Sequence, residues 1–197
     1  LNGNTTANNN TAVGYQSVYA NSTGTENTGL GGFALYANTT ADYNTSVGYA
    51  SLQTNTTGAS NSALGRSALE SNTTASNNTG IGYHALRLNT TGASNTALGF
   101  QAGYSNTTAA NNSFVGFAVG YANTTGTENV GVGGQGASSN TTLRFNTTGS
   151  SNTAIGIGAL QANTTASQNT AVGNLAGYNN TTAVDNSFFG QNAGYSC

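Results

Sequence analysis

The stretch NTTGASNTALGFQAGYS, residues 89–105, is followed at once by another NTT, so a new copy of the phrase begins where the last one ends. The phrase recurs every 17 residues, is interrupted once, and then resumes. A fixed period decides architecture before other features do, because each copy must build the same unit of structure. We therefore treat residues 1–197 as one repeat array with an insert at residues 140–145 (NTTLRF) and units that begin at Asn4, Asn21, Asn38, Asn55, Asn72, Asn89, Asn106, Asn123, Asn146, Asn163 and Asn180.

Four positions of the unit are the same in every copy. The first and seventh residues are always Asn, the third is always Thr, and the eleventh is always Gly. The tenth residue is always Val, Leu, Ile or Phe, and the fourteenth is small. Agreement between copies within one chain indicates a geometric requirement that every unit shares.

The length of the unit predicts a β-solenoid. Helical repeats need about 33 residues or more, and a unit of half that length has no room for two helices and a turn. It suits one coil made of two short strands and two turns. The sequence therefore predicts an all-β fold, a parallel β-roll or β-helix with one coil per repeat and about 11 coils, roughly 50–55 Å long at a rise of about 4.8 Å per coil.

The strands are expected at residues 95–100 (NTALGF) and, more briefly, at residues 101–105 (QAGYS) or their equivalents. Strand side chains alternate between faces, so the eighth, tenth and twelfth positions share one face and the small ninth and eleventh positions share the other. We expect every coil to bury the same aliphatic column, while the pattern alone leaves open which face is interior. Small residues on the other face permit a close backbone approach, across a thin coil or against a neighbouring chain.

Stacking explains the constant residues. Equivalent positions of successive coils would lie about 4.8 Å apart, so that Asn side chains can bond amide to amide along the axis. The same stacking predicts an ion pair between Glu70 and Arg87 and pairs of tyrosines one coil apart, such as Tyr104 with Tyr121. The expected ladder residues are Asn10, Asn27, Asn44, Asn61, Asn78, Asn95 and Asn112, with Gly14, Gly31, Gly48, Gly65, Gly82, Gly99 and Gly116.

Composition excludes several classes of function. Only 4% of residues are charged and the net charge is -2, so the three basic residues cannot neutralise a nucleic-acid backbone. No run of 18 apolar residues forms a membrane span. Disorder is opposed by the near absence of charge and by the strict register of the apolar residues. Without an initiator Met or a capping segment, we expect a processed form or a fragment, cut from a longer array or able to stack end to end.

The sequence carries no constellation that predicts chemistry, so we expect no catalytic residue, metal or cofactor. His84 stands alone at a variable position, where an exposed imidazole is the simplest interpretation. The insert is either a binding loop that carries Arg144 and Phe145 or a tolerated surface bulge. No pair of carboxylates has the spacing of an acid–base site; the acidic residues are Glu26, Asp42, Glu70, Glu128 and Asp185.

Two kinds of modification are possible. Cys197 either tethers the chain to another chain or is an unpaired thiol where a longer chain was cut. The NTT triplet is also an N-glycosylation acceptor, although glycans on every coil would crowd. The candidate acceptors are Asn4, Asn21, Asn38, Asn55, Asn72, Asn89, Asn106, Asn123, Asn146, Asn163 and Asn180, and the threonine hydroxyls are further candidates.

Units such as NTALGFQAGYSNTTAANNSFVGFAVGYANTTG, residues 95–126, resemble the repeat arrays of bacterial and phage tail-fibre-like proteins. The phrases NTAVG and NTAIG are similar to the head repeats of trimeric autotransporter adhesins. The resemblance implies an extracellular, cell-surface or virion β-rod, trimeric or self-stacking, with a projecting or adhesive role.

The leading hypothesis is a non-catalytic fibre shaft or filament subunit whose partner is itself. The alternative is an adhesin or a carbohydrate- or ice-binding module that meets surface glycans or a host receptor. Ice binding would favour Thr at alternate positions of a strand, whereas the adjacent Thr56 and Thr57 would point to opposite faces.

Overall fold

The computed structural model describes residues 2–134 and 140–196 and shows a parallel β-solenoid with one short strand per coil. The strands form a single sheet in chain order, and these residues contain no helix. The predicted fold class is confirmed. The strands are β1 Thr11–Val13, β2 Thr28–Leu30, β3 Thr45–Val47, β4 Ser62–Leu64, β5 Thr79–Ile81, β6 Thr96–Leu98, β7 Ser113–Val115, β8 Val130–Val132, β9 Thr153–Ile155, β10 Thr170–Val172 and β11 Ser187–Phe189.

The register of the sheet follows the sequence period. Each strand residue pairs with the equivalent residue of the next coil, as Thr28 does with Thr45 and Leu30 with Val47. The step from β8 to β9 spans the insert, yet Val130 still pairs with Thr153. Residues at equivalent positions of the repeat are therefore stacked one above another from the first coil to the last.

The second half of each coil is a series of turns, so the strand expected at residues 101–105 and their equivalents is wrong. Only alternate N–H groups of this half point along the axis. The N–H of Leu35 donates to Ser51 in the next coil at 3.1 Å, whereas the N–H of Tyr36 turns back to Phe33 in its own coil at 3.3 Å. Residues at the thirteenth and fifteenth positions adopt positive φ, and Leu35 has a φ of 51°. A β-strand cannot form from a backbone that alternates in this way.

The interior is filled from the turn half, by the fifteenth position. Its large side chains, Val18, Leu35, Leu52, Leu69, Leu86, Leu143 and Leu160, are completely buried. The strand contributes only its small ninth residue to this core, such as Ala63 or Ala97. A Cβ on Gly29 would lie 2.5 Å from a methyl group of Val18, which shows how little room remains. The buried aliphatic column is therefore the one from the turn half, and the tenth-position residues lie on the opposite, outward face of the strand.

In two coils the large core side chain comes from the strand and the small one from the turn half. Phe114 and Phe188 replace the small ninth residue, and in each case the fifteenth residue is Gly in the same coil and in the coil before. A Cβ on Gly120 would lie 2.6 Å from the ring of Phe114, and one on Gly194 would overlap the ring of Phe188. Core volume is thus conserved while its source moves from one wall of the coil to the other.

The insert lies earlier in its coil than residues 140–145. In every coil but the last, the N–H of the fifteenth residue donates to the carbonyl of the fourteenth residue of the next coil. Here the N–H of Gly120 donates to Thr142 and the N–H of Leu143 donates to Ala159, so Thr142 and Leu143 take the fourteenth and fifteenth positions. Leu143 is accordingly buried in the core column. The additional residues fall between Gly134 and Thr142, because the side chain needed to fill the core fixes the register of this half of the coil.

Candidate functional site

The first-position asparagines form a buried column along the axis. The Nδ2 of Asn38 donates to the Oδ1 of Asn21 at 2.8 Å in the preceding coil and to the carbonyl of Ala41 at 3.0 Å in its own. Equivalent amide-to-amide bonds link each coil to the next from Asn21 to Asn180. Each amide closes its own turn and also binds the neighbouring coil, which is a structural role.

The seventh-position asparagines form a second column, from Asn10 to Asn186. The Oδ1 of Asn27 accepts from the backbone N–H of Asn44 at 3.0 Å, and the Nδ2 of Asn44 donates to the carbonyl of Gly58 at 2.9 Å in the next coil. In the other coils the same backbone bond measures 2.9–3.1 Å. The Nδ2 of Asn78 has no partner, so this column contains one unsatisfied donor among the described residues.

Burial of the first column overturns most of the candidate glycan acceptors. A glycan must bond to Nδ2, and from Asn21 onward that nitrogen is enclosed at 0–1% residue exposure and already donates hydrogen bonds. Among the candidate acceptors named from the sequence, Asn4 in the first coil is exposed. The candidate acceptors that burial rules out are Asn21, Asn38, Asn55, Asn72, Asn89, Asn106, Asn123, Asn146, Asn163 and Asn180.

The two threonines of each NTT triplet have different roles. The second-position hydroxyl bonds to the next coil, as when Thr39 donates to the carbonyl of Thr56 at 3.1 Å. The third-position residue, such as Thr40, is exposed to solvent. Only the third-position hydroxyls are therefore accessible to a ligand or a modifying enzyme.

The outward side of the sheet, here called the strand face, consists of the eighth, tenth and twelfth positions. Its tenth-position residues are aliphatic except for Phe189, and they are exposed or half-buried, with exposed fractions of 46% for Leu30 and 49% for Leu64. Thr or Ser stands beside them at the eighth position in all strands except β8, which has Val130. An apolar stripe that runs the length of a solenoid is larger than the scattered apolar residues of an ordinary monomer surface.

The twelfth position of the strand face carries a column of rings. Tyr15, Phe33 and Tyr49 meet edge to face at 5.3 and 5.8 Å, with Phe33 filling the place left by Gly32. The column continues through Arg66, Tyr83 and Phe100 to Phe117, and the last two rings stack at 4.9 Å. Stacked rings cover one another's faces, so this column presents mainly ring edges to a ligand.

The sixteenth position forms a second column. Tyr19 stacks on Tyr36 at 5.4 Å, Tyr104 on Tyr121 at 5.1 Å, and Tyr178 on Tyr195 at 5.1 Å. Between these pairs, the Nε of Arg87 donates to the Oε2 of Glu70 at 2.7 Å, and its NH1 donates to the hydroxyl of Tyr104 at 3.2 Å. The expected ion pair and stacked tyrosines are thus present one coil apart.

The remaining charged residues are dispersed. Asp42 accepts hydrogen bonds from the N–H and hydroxyl of Thr25 in the preceding coil, and Glu128 accepts one from Ser151. Arg144 lies over the rings of Tyr121 and Phe145 at 5.6 Å from each. Within residues 2–134 and 140–196, no three His, Cys, Asp or Glu side chains converge on a point where a metal could bind. Cys197 lies outside the described residues.

One cluster brings cations together, and we call it the cationic patch: Arg66, His84 and Arg87, with Tyr83 and Tyr104. The His84 ring stacks on Tyr83 at 3.7 Å and lies 5.9 Å from the ring of Tyr104. Burial and then the nearby Arg87 guanidinium lower the pKa of His84. The 17-residue period predicts the pairing of Glu70 with Arg87 but does not single out Arg66. The sequence signal for Arg66 is its twelfth position, between Tyr49 and Tyr83 of the adjoining units.

No protein-family model, curated protein or solved structure matches this chain. Across the part of the chain that the structure describes, no helix has the length and apolar character needed to cross a membrane. The function therefore has to be inferred from the geometry of the coils and their surfaces.

Proposed function

We propose that the chain is a structural module, a non-catalytic rod that serves as the shaft of an extracellular, cell-surface or virion fibre or as a filament subunit. The observation that carries this proposal is the pair of buried Asn columns, which link successive coils from β1 to β11. From the second coil onward the same Asn bonds join each coil to the next, so the described residues contain no coil boundary without them. A uniform rod of this kind suits mechanical extension.

The strand face supports association between copies of the chain. Its exposed residues include Val13, Leu30 and Leu64 along the tenth-position column, and Tyr15 and Tyr49 beside them. Burying this stripe between chains would remove apolar area from water at about 25 cal/mol per Å². Lateral pairing or a trimer around this face is therefore the arrangement that we propose, with the chain itself as partner.

Electron microscopy of the purified chain, with averaging along the particle axis, tests the proposal. We expect rods with a repeat near 4.8 Å and a cross-section containing more than one chain. Separate single-chain rods would contradict the proposed lateral association. Irregular particles without an axial repeat would contradict the structural role altogether.

A second candidate function is binding of ice or ordered water by the strand face. The specific observation in its favour is the column of Thr and Ser at the eighth position, exposed or half-buried and one coil apart. The adjacent tenth position varies in size from Val to Phe, which makes the face uneven. Thermal hysteresis of a solution of the purified protein measures ice binding directly. Absence of hysteresis would rule out the ice-binding function without affecting the structural proposal.

A further inference from the structure

We propose that the cationic patch is a binding site for an acidic saccharide, whose carboxylate lies between Arg66 and Arg87 beside His84. This role goes beyond the structural function and does not depend on it. It would turn one part of a uniform rod into a recognition site.

Basic residues are concentrated at the patch and sparse elsewhere. The chain has three basic residues and one His, and two of the three Arg together with the His fall in two adjoining coils. The N–H of His84 donates to the carbonyl of Arg66 at 3.1 Å, so the two residues are direct neighbours across the coil boundary. Glu70 pairs with Arg87, so Arg66, unpaired among the described residues, gives the patch its net positive charge, which can recognise an anion against a surface of Thr, Ser and Asn.

Arg66 supplies the cation that is available to a ligand. It is exposed and has no carboxylate within ion-pair distance among the described residues. Its guanidinium lies 5.9 Å from the ring centroids of both Tyr49 and Tyr83, one coil to either side. The two rings hold the guanidinium in place by cation–π attraction while its N–H donors remain free for a carboxylate, which guanidinium groups bind in bidentate geometry.

Arg87 is the second donor and is held more firmly. Glu70 binds its Nε and the hydroxyl of Tyr104 accepts from its NH1. The hydrogen bond that Arg87 donates to Glu70 raises the pKa of Arg87, which keeps the guanidinium charged at every relevant pH. The remaining amino group of Arg87 is not engaged by these bonds and is pre-oriented by them, which lowers the entropy cost of binding a ligand.

His84 makes the patch sensitive to pH. Its Nδ1 is enclosed and has no hydrogen-bond partner, so protonation of the ring is unfavourable. Burial lowers the pKa of His84 most, the positive charges of Arg87 and Arg66 lower it further, and Glu70 opposes them. A bound anion adds a negative charge beside the ring and must raise this pKa. By linkage, the affinity for the anion must then rise as the pH falls.

The surroundings favour a saccharide over other anions. A nucleic acid would require many phosphate contacts, which three arginines cannot supply. The patch includes Tyr83 and Tyr104, whose phenol hydroxyls can hydrogen-bond to sugar hydroxyls. A uronic acid combines such hydroxyls with a carboxylate and so matches both features.

The single His makes the test direct. The imidazole proton resonances of His84 are followed by NMR from about pH 7.5 to 5 in the presence of trigalacturonate, with maltotriose as the neutral control and inorganic sulfate as the free anion. We expect trigalacturonate to raise the pKa of His84 and to bind more tightly at the lower pH, and maltotriose to do neither. A shift produced equally by sulfate would overturn the saccharide assignment, and no shift with any probe would overturn the site.

Two variants locate the effect. Arg66→Gln is expected to weaken binding of trigalacturonate by about fivefold, the loss typical of an exposed charge pair. Arg144→Gln is the matched control, because Arg144 also lies over a tyrosine ring but belongs to a distant coil. Equal affinity of wild type and Arg66→Gln, with both showing the same circular dichroism and the same rods by electron microscopy, would refute the proposal and leave the structural function intact.

Discussion

At the scale of the residue, the eleventh-position glycine is needed for two independent reasons. Its φ lies between 116° and 143° in the described coils, a region that side-chain-bearing residues avoid. A Cβ on Gly31 would also lie 2.7 Å from the carbonyl carbon of Gly48 in the next coil. The invariance of this glycine therefore reflects both backbone conformation and the close approach of successive coils.

Replacing this glycine tests the requirement. Gly31→Ala is expected to lower the free energy of unfolding by about 3 kcal/mol, from backbone strain and overlap with Gly48 together. The matched control is Gly32→Ala, whose Cβ would meet the ring of Tyr49 at an ordinary 3.5 Å. We expect the control to change stability by less than about 1 kcal/mol. Urea denaturation measures both, and equal losses would show that coil spacing adapts to a methyl group.

His84 supplies a prediction about pH and stability. Its pKa is lowered in the folded chain from the ordinary value of 6.5, first by burial and then by Arg87. Between the lowered pKa and 6.5 the unfolded chain binds more protons, so the free energy of unfolding must rise with pH across this window. The melting temperature of wild type should therefore fall as the pH drops below 6.5, and that of His84→Gln should fall less. Identical pH dependence in thermal melts followed by circular dichroism would contradict this assignment.

At the scale of the element, each coil joins a strand that contributes small residues to a turn segment that contributes large ones. Val18 and the core leucines adopt a φ of 47–51°, a conformation that is unfavourable for large side chains. Burial of a leucine contributes about 1.5–3 kcal/mol, which outweighs a strain of about 1–2 kcal/mol. The coil therefore tolerates an unfavourable backbone in order to fill its interior.

Two substitutions would restore the usual core arrangement in the coil of Phe114, with a large residue at position 120 and a small one at position 114. Gly120→Leu alone should destabilise the chain by about 2 kcal/mol, because the new side chain overlaps the Phe114 ring. Phe114→Ala alone should cost about 3–5 kcal/mol through the cavity that it leaves. The double variant should be more stable than the sum of the two losses by about 1–3 kcal/mol. Additive losses in a denaturation cycle would show that the two side chains do not share one space.

The ion pair between coils gives a weaker effect. Glu70→Arg places like charges one coil apart and should lower the free energy of unfolding by less than about 1 kcal/mol, because the side chains of Arg87 and Glu70 are 33% and 23% exposed. Salt screens the repulsion, so the loss should shrink as sodium chloride is raised. Glu70→Gln is the control that removes the attraction without adding repulsion. A loss that does not change with salt would argue against this register.

At the scale of the whole molecule, the stacked coils create surfaces that no single coil possesses. The strand face is one such surface, and the column of third-position threonines is another on a different side of the rod. Because each surface repeats similar side chains along the axis, a weak contact by one coil is multiplied by the number of coils that take part. Lateral association is therefore a property of the array.

A single substitution can probe that association without disturbing the core. Leu64→Asp adds a charge to the exposed strand face and should weaken self-association by about tenfold, since a charge buried in an apolar contact is costly. Thr57→Ala changes an exposed residue of the same coil on another side and is the control. Sedimentation velocity over a range of concentrations measures both variants, and unchanged association of Leu64→Asp would place the contact elsewhere.

The sequence alone determined the coil length, the parallel register and the residues that stack, because a strict 17-residue period admits few structures other than a solenoid. It also predicted the partners of Glu70 and Tyr104, since the period specifies which residues are one coil apart without knowledge of side-chain direction.

Only the tertiary structure decided which face of the strand is interior. Alternation along a strand is the same whichever face is buried, so the sequence left open whether the small ninth position or the aliphatic tenth position lies inside. The deciding factor is volume, since the leucines of the turn half already fill the coil. That half could not be recognised from sequence, because leucine at positive φ contradicts its own local preference and is stable only when packing compensates. The same burial removes Asn21 and its equivalents as glycan acceptors.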